Sequence, residues 1–170
     1  NLSAAATHYR MMRQSGAAAD FRYKLQKLSF TGEPLDSETA QWAEDTFGQH
    51  VRSMYGTTEV GVILSQYPGA EDLPAKRGSL GRPMPGLSVA VLNERDEPCA
   101  PLEVGEIKVA RRDGWFATKD RGHTDEDGHF YHDGRADDVI ISAGWTISAK
   151  EVEDCLLRYE GVTDVAVIGT

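Results

Sequence analysis

The first part of the chain changes from helical to strand-like spacing of its apolar residues and back again. Residues 3–15 have a weakly helical pattern, whereas residues 25–30 and 51–55 form short apolar runs that are typical of strands. Residues 36–48 lie between the two runs and carry an N-cap residue, apolar positions at helical spacing and a terminal glycine. A strand, a helix and a second strand predict a parallel α/β unit, in which a ligand binds beyond the carboxyl ends of the strands.

From about residue 68 the pattern becomes typical of β structure. Proline and glycine are dense in residues 78–86, and short alternating runs follow at 87–92 and 106–109. An Asp-Gly turn signal at 125–128 precedes two aromatic residues. These features predict antiparallel strands in a second, β-rich part of the chain.

The last part of the chain returns to helical spacing. Ser148 and Glu151 match a capping box, and an apolar stripe follows with Gly161 as its stop signal. Residues 162–168 then predict a strand, and so small a set of elements predicts a domain that is cut short. The predicted division of the chain is 1–67, 68–136 and 137–170.

Composition and charge narrow the classes of function. The chain has 170 residues, of which 40% are hydrophobic and 26% charged, as in ordinary globular proteins. Its net charge of -9 disfavours nonspecific binding to nucleic-acid phosphates. The sequence has no membrane-length apolar run and no signal-peptide pattern, and Cys99 and Cys155 are too few for a disulfide framework. We therefore expect a cytoplasmic protein with no nucleic-acid partner and no membrane span.

The stretch Tyr55-Gly56-Thr57-Thr58-Glu59 places small and polar residues at the end of a predicted strand. Glycine lets a ligand approach the backbone, and threonine hydroxyls can donate hydrogen bonds to phosphate oxygens. The carboxylate of Glu59 is a hard oxygen ligand suited to Mg²⁺ bound between phosphates. Taken alone, however, the stretch is interpreted more simply as a polar turn after a strand.

Residues 118–138 are rich in histidine and aspartate. A metal site at these histidines is one hypothesis, but the spacing fits neither a calcium loop nor a helical zinc pair, so a hairpin with an Asp-Gly turn is favoured. Asp120 and Arg135 flank that hairpin. An acid for sugar hydroxyls and an arginine for phosphate would suit a nucleotide, and a surface ion pair explains the same spacing equally well.

In their order and spacing, several segments together resemble the adenylate-forming superfamily, in particular its acyl-CoA synthetases. The segments are Gly32-Glu33-Pro34-Leu35, Tyr55-Gly56-Thr57-Thr58-Glu59, 78–86, 114–120 and 134–147. The resemblance covers nearly the whole chain from about residue 20. It implies an α/β fold plus antiparallel β: the late part of a large N-terminal domain, then a hinge and the start of a small α+β C-terminal domain.

The resemblance also implies an enzyme, an AMP-forming acid-thiol ligase. A small carboxylic acid would react with ATP in the presence of Mg²⁺ to give an acyl-adenylate, and coenzyme A would then displace AMP. Two alternatives stay open: an adenylation domain that loads a carrier protein, and a noncatalytic nucleotide-binding module. We expect residues 1–170 alone to be inactive.

By position, the resemblance assigns roles to individual residues. The implied catalytic residues are Thr58, Glu59 and Arg135, with Glu59 as the Mg²⁺ ligand. The implied ATP- and AMP-binding residues are Gly32, Glu33, Pro34, Tyr55, Gly56, Thr57, Thr58, Asp120 and Arg135. Asp137 would be the hinge, and Ala143 and Gly144 would contact coenzyme A.

The chain departs from the family pattern at specific places. Lys119 replaces the glycine that the family carries before Asp120. The loop between Ala110 and Gly114 is shorter than the family's loop at this point. The family's phosphate loop would lie upstream of the sequence considered, and its late lysine would lie downstream of it.

Overall fold

The computed structural model describes residues 1–67, 75–136, 139–142, 145–162 and 165–169. The chain forms two compact units, one of Asn1–Ser88 with Gly128–Tyr131 and the other of Val89–Asp127 with His132–Thr170. Within the described residues, no helix has the length and apolar character that crossing a membrane requires. The predicted division into three parts stays a prediction.

The sheet of the first unit begins with parallel strands and continues with antiparallel ones. Strands β1 (Leu2–Ala5), β2 (Leu28–Thr31) and β3 (Val51–Thr57) are parallel neighbours in this order. Strands β4 (Gly61–Ser65) and β5 (Ser79–Pro83) extend the sheet in antiparallel fashion. The parallel pairing of β2 and β3 confirms the predicted α/β unit.

Two helices, α1 (Ala6–Ser15) and α2 (Ser37–Phe47), supply the helical side of the core of the first unit. A short 3₁₀ helix, Ala17–Asp20, follows α1. The buried core joins helix residues to strand residues: Tyr9, Ala43 and Phe47 from the helices, and Leu28 and Val51 from the strands.

The two helices begin in different ways. Asp36 caps α2, because its Oδ1 atom accepts a hydrogen bond from the backbone N–H of Thr39 at 2.8 Å, and Gly48 ends this helix in the left-handed conformation. Helix α1 is shorter than the predicted helix at 3–15, because residues 2–5 pair with β2 as a strand. Ala5, at the N-cap of α1, has no side-chain oxygen to offer the first turn.

Two strand boundaries of the first unit also differ from the prediction. Strand β2 spans Leu28–Thr31. It therefore begins three residues later than the predicted run at 25–30 and ends one residue later. Strand β3 extends past Tyr55, because Gly56 and Thr57 pair with the following strand β4. The motif at 55–59 is therefore partly strand and partly turn.

The second unit contains the predicted antiparallel strands. Strands β6 (Val89–Leu92), β7 (Gly105–Arg111) and β8 (Gly114–Thr124) are antiparallel neighbours, and β9 (Phe130–Arg135) contributes its residues from 132 onward. Arg111 pairs with Gly114, so the short connection noted in the sequence is a two-residue hairpin turn.

A second hairpin and a helix complete the described residues of this unit. Strands β10 (Val139–Ser142) and β11 (Trp145–Ser148) are antiparallel, and α3 (Ala149–Leu156) follows directly. The predicted end of the helix near Gly161 is wrong. Beyond Leu156 the backbone makes tighter bonds such as Tyr159 N–H to Leu156 O at 3.0 Å, so the helix gives way to turns.

The predicted strand at 162–168 is also wrong for the residues that are described there, 162 and 165–168. The backbone N–H of Val167 donates to Oε1 of Glu153 at 2.9 Å. A side chain of α3 therefore takes the hydrogen bond that a neighbouring strand would otherwise provide.

The β3–β4 hairpin brings two stretches of backbone together at Gly56, and this generates a stability prediction. A Cβ atom on Gly56 would lie 1.8 Å from the carbonyl oxygen of Gly61. Gly56→Ala should therefore push the strands apart and lower the free energy of unfolding by about 3 kcal/mol. Thermal unfolding of the full-length protein measures the effect.

Gly61→Ala is the matched control in the same hairpin. Its φ of +69° would strain an alanine, but the added Cβ would meet no atom within 4 Å. We expect a smaller loss of about 1 kcal/mol. Equal losses from the two substitutions would contradict the close approach at Gly56.

Candidate functional site

The predicted nucleotide-binding segments of the first unit lie at one edge of its parallel strands. The register pairs Ala5 with Thr31 and Phe30 with Ser53, so β1 and β2 end side by side, next to β3. Gly32–Pro34 follows β2 directly, and the motif at 55–59 ends β3. Open parallel α/β sheets bind their ligands at this carboxyl edge.

Thr58 and Glu59 lie at the tip of the β3–β4 hairpin. Both residues are exposed in a turn that the N–H of Val60 closes by donating to the carbonyl of Thr57 at 3.3 Å. Gly61 completes the turn in the left-handed conformation. Exposure at the tip leaves the predicted phosphate and metal ligands accessible to a bound nucleotide.

Thr57, by contrast, has a buried hydroxyl. Its Oγ1 atom is shielded from solvent and has no hydrogen-bond partner within the part of the chain that the structure describes. A buried hydroxyl without a partner is energetically unfavourable, since it has lost its bonds to water. A phosphate oxygen would reach this shielded atom only after a shift of the hairpin, so the nucleotide-binding role of Thr57 stays a prediction.

The structure gives a second reason for the glycine at position 56. The sequence suggests that Gly56 lets a ligand approach, whereas the structure places the backbone of Gly61 where a side chain would begin. The hairpin therefore requires glycine here whether or not a ligand binds. The nucleotide-binding role of Gly56 stays a prediction.

Glu33 binds the start of helix α1 with its carboxylate. Its Oε1 atom accepts a hydrogen bond from the backbone N–H of Thr7 at 2.8 Å and another from the Thr7 hydroxyl, while Oε2 accepts bonds from Arg10 at 3.2 and 3.3 Å. The carboxylate thus replaces the side-chain cap that Ala5 lacks, at the positive end of the helix dipole.

These contacts also set the ionisation of Glu33. The hydrogen bond from the Thr7 hydroxyl lowers the pKa of this carboxyl, and the Thr7 N–H and the charge of Arg10 add to the effect against the opposing effect of burial. Since the carboxylate is occupied by α1, a contact of this loop with adenine would come from its backbone. The nucleotide role of Gly32, Glu33 and Pro34 stays a prediction.

Asp120 and Arg135 lie together in the second unit. The Nη1 atom of Arg135 is 3.5 Å from Oδ1 of Asp120, whose side chain is 9% exposed. The Nε2 atom of His132 approaches the same oxygen at 3.4 Å. The structure therefore brings together the two residues that flank the predicted hairpin, and the ribose and phosphate roles stay predictions.

A β-bulge in β8 positions Asp120. The β7–β8 register shifts between Glu106 and Lys108, opposite residues 118–120. The buried hydroxyl of Thr118 donates to the carbonyl of Ile107 at 2.7 Å and accepts from the N–H of Asp120 at 3.2 Å. Lys119, between them, has a φ of +64°, in the left-handed region that favours glycine.

The histidine-rich stretch forms pairs with acids. The Nδ1 atom of His123 lies 2.7 Å from Oδ2 of Asp133, and the turn closes with Asp127 N–H donating to Asp125 Oδ1 at 3.0 Å. Within the described ranges, no group of three or more His, Cys, Asp or Glu side chains is arranged to hold a metal ion.

Three predicted site residues are not described by the structure, and two neighbours of the predicted site were not found from the sequence. Asp137, Ala143 and Gly144, predicted for the hinge and for coenzyme A, lie outside the described residues. Sequence analysis missed Arg10 and His132 as neighbours of predicted site residues. Arg10 could have been found from its position on the helix that follows strand β1. However, residues 2–5 are too few and too rich in alanine for the sequence to predict that strand.

A sequence profile of a family described as AMP-binding enzyme matches residues 2–115. The chain belongs to this family. This confirms the resemblance drawn above from the motif segments and the fold class that it implied.

Named relatives and a solved structure extend the similarity beyond residue 115. The uncharacterized acyl-CoA ligase YtcI of Bacillus subtilis is 35% identical over 96% of the chain, and the propionate-CoA ligase of Salmonella typhimurium is 36% identical over 85% of it. The crystal structure of ATP-bound MatB from Rhodopseudomonas palustris covers 99% of the chain at 25% identity with a TM-score of 0.87. The chain spans 34%, 27% and 37% of the lengths of these three proteins.

The left-handed backbone at Lys119 generates a second prediction. Lys119→Gly relieves a backbone strain of about 1–2 kcal/mol. The greater entropy of its unfolded chain lowers the free energy of unfolding by about 0.4–1 kcal/mol, which is the smaller effect. The glycine variant should therefore unfold at a higher temperature than Lys119→Ala, which keeps the strained backbone while removing the same side chain. Thermal unfolding of the full-length variants compares them, and an equal or lower melting temperature for glycine would contradict the strain.

The lowered pKa of Glu33 generates a third prediction. A carboxyl whose folded pKa is lowered adds stability above its unfolded pKa, and that contribution disappears as pH falls through the folded value. Glu33→Gln should lower the melting temperature of the full-length protein at pH 7, and the difference from wild type should shrink below about pH 4.3. Glu94→Gln controls for the loss of one exposed negative charge, since Glu94 is an exposed glutamate in a turn. A difference that is the same at all pH values would contradict the ionic role.

Proposed function

We propose that the full-length protein is an ATP-dependent acid-CoA ligase that activates a small carboxylic acid as an acyl-adenylate. The observation that carries this proposal is the similarity to proteins named as acyl-CoA and propionate-CoA ligases, which extends along 96% and 85% of the chain. The geometry of the first unit supports it, because Thr58 and Glu59 are exposed in a turn at the carboxyl edge of the parallel strands.

The proposed reaction consists of two displacements. First, an oxygen of the substrate carboxylate attacks the α-phosphorus of ATP, and the bond to the bridging oxygen of pyrophosphate breaks. Next, the sulfur of coenzyme A attacks the carbonyl carbon of the acyl-adenylate, AMP leaves with the bonding electrons, and the thiol proton passes to solvent. Neither step needs a covalent protein nucleophile, so positioned cations and hydrogen-bond donors on the phosphate oxygens provide the catalysis.

In the first unit, the β3–β4 hairpin would bind the phosphates. Thr57 and Thr58 would donate their hydroxyls to phosphate oxygens, and Tyr55 would pack on the adenine. Glu59 fits a Mg²⁺ ligand, because this ion takes one or two protein carboxylates and completes its shell with water and phosphate oxygens. Bound there, Mg²⁺ would neutralise part of the phosphate charge. The backbone of Gly32–Pro34 would line the adenine.

In the second unit, Asp120 would accept hydrogen bonds from ribose hydroxyls. Arg135 would hold the carboxylate of Asp120 in place, which the 3.5 Å distance between its Nη1 atom and Oδ1 of Asp120 favours. Arg135 would also contact the ribose or the phosphate. Asp137 as a hinge, and Ala143 and Gly144 as contacts of coenzyme A, are proposed from the family resemblance. A cytoplasmic location is proposed from the sequence itself, in which Cys99 and Cys155 are too few for a disulfide framework.

The experiment is exchange of labelled pyrophosphate into ATP by the full-length protein, with acetate, propionate, butyrate and benzoate as substrates. At least one acid should support exchange, and added coenzyme A should then yield free acyl-CoA. Exchange without acyl-CoA would favour loading of a carrier protein, and no exchange with any acid would contradict the ligase proposal.

Glu59→Gln tests the metal ligand. Removing the charge that holds Mg²⁺ should reduce the exchange rate by about 100-fold, on the scale of losing one preorganised electrostatic group. Glu126→Gln is the matched control, since Glu126 is also an exposed glutamate in a turn. If the two variants exchange equally well, Glu59 is not part of the site.

A further inference from the structure

Arg10, on helix α1, contacts the loop after β2 at several points. Its Nη1 and Nη2 atoms donate to Oε2 of Glu33 at 3.2 and 3.3 Å, and Nη2 also donates to the backbone carbonyl of Pro34 at 3.2 Å. Its Nε atom lies 3.4 Å from Oδ2 of Asp36. One guanidinium therefore touches three residues of the segment that joins β2 to α2.

The segment's own restraints lie at Pro34, whose ring fixes its φ, and at Asp36, which caps α2, and Arg10 adds to them. Gly32 has a φ of +89°, a conformation that glycine adopts without strain but does not enforce. Pro34 has no N–H group and so cannot be fixed by a backbone hydrogen bond that it donates. Arg10 supplies a donor to the carbonyl of Pro34 and fixes the two carboxylates that flank it in sequence.

We propose that Arg10 is a positioning residue for nucleotide binding, which holds the backbone of Gly32–Pro34 in the shape that meets the base of ATP. This rests on the proposed function, in which that backbone lines the adenine. Arg10 does not itself touch the nucleotide in this account. It acts through the loop, by a planar fork of donors that a lysine cannot reproduce.

The ion pairs of Arg10 with Glu33 and Asp36 are partly exposed to solvent, and this decides whether their loss is seen in stability or in binding. The side chains of Arg10, Glu33 and Asp36 are 35%, 38% and 46% exposed. Ion pairs at this exposure contribute little to the stability of a fold. Loss of Arg10 should therefore change the affinity for nucleotide more than the melting temperature.

The chain contains a matched control on the same helix. Arg13 also lies beside Asp36, with its Nη1 atom 3.7 Å from Oδ1, and it contacts Thr39 and Glu38 of helix α2. Arg13→Met thus removes the same charge from α1 as Arg10→Met, Arg13→Lys keeps that charge as Arg10→Lys does, and both Arg13 variants disturb the contacts beside the cap of α2. They leave the bonds from Arg10 to Glu33 and Pro34 in place.

The experiment compares Arg10→Lys and Arg10→Met with Arg13→Lys and Arg13→Met in the full-length protein. Titration calorimetry with ATP and with AMP measures binding, and pyrophosphate exchange gives KM for ATP and kcat. Both Arg10 variants should weaken binding and raise KM by about tenfold, with kcat at saturating ATP within about twofold of wild type, and the Arg13 variants should change KM by less than about twofold. Wild-type affinity in Arg10→Lys would overturn the proposal, and so would an equal effect from the matching Arg13 variants.

The two proposals fail in different ways. If wild-type protein binds ATP but exchanges no pyrophosphate with any acid, the ligase proposal fails, and calorimetry of the variants still decides the role of Arg10. If wild-type protein binds neither ATP nor AMP, both proposals fail. If Arg10→Met fails to fold, Arg10→Lys decides the question.

Discussion

The carboxylate of Glu33 connects the first helix of the chain to a loop at the carboxyl edge of the parallel strands. Helix α1 begins after an alanine that cannot cap it, so the unpaired N–H of Thr7 needs an acceptor from elsewhere in the chain. Glu33 provides that acceptor, and the bonds from Arg10 hold the other carboxylate oxygen. The same contact therefore completes a helix and fixes the direction in which the chain leaves β2. A strand end with a negative charge is favourable here because the positive end of a helix dipole faces it.

The other candidate site residues lie next to irregular backbone in both units, at a register shift in the β3–β4 pair and at another in the β7–β8 pair. At the β3–β4 hairpin, Gly56 allows Gly61 to approach so closely that no side chain fits, and the register shifts at that point. At the bulge in β8, Lys119 is left-handed, yet its N–H donates to Glu106 Oε1 at 3.2 Å and its carbonyl accepts from Ala136 N–H at 2.8 Å. Both backbone groups of Lys119 are thus hydrogen-bonded, one to a side chain and one to backbone, at a residue whose conformation costs about 1–2 kcal/mol. Asp120 follows immediately, so the strain is located where the orientation of a buried carboxylate is set.

The parts of the fold that could be predicted depend on short-range signals. Asp36 and Gly48 mark both ends of α2, and the runs around it predict parallel strands because the connection is helical. What could not be predicted depends on contacts between distant residues. The acceptor for Thr7 lies at Glu33, beyond any local pattern, and the backbone N–H of Val167 donates to the side chain of Glu153, fourteen residues earlier. The motif at 55–59 was found as a motif, but its sequence could not show that the hydroxyl of Thr57 is buried while its neighbours are exposed.

That difference in burial gives the two halves of the hairpin motif different energetic roles. The hydroxyl of Thr57 is shielded and makes no hydrogen bond within the described residues, so it is a cost to the folded hairpin that a shift of the backbone would relieve. Thr58 and Glu59, by contrast, are exposed at the tip, where phosphate and metal can approach them without a change in the fold. Mg²⁺ releases its water reluctantly and is best met by an accessible carboxylate that leaves most of its shell intact. The exposed carboxylate of Glu59 therefore fits a hydrated Mg²⁺ ion in the present shape of the hairpin, whereas the hydroxyl of Thr57 fits a phosphate only after that shape changes.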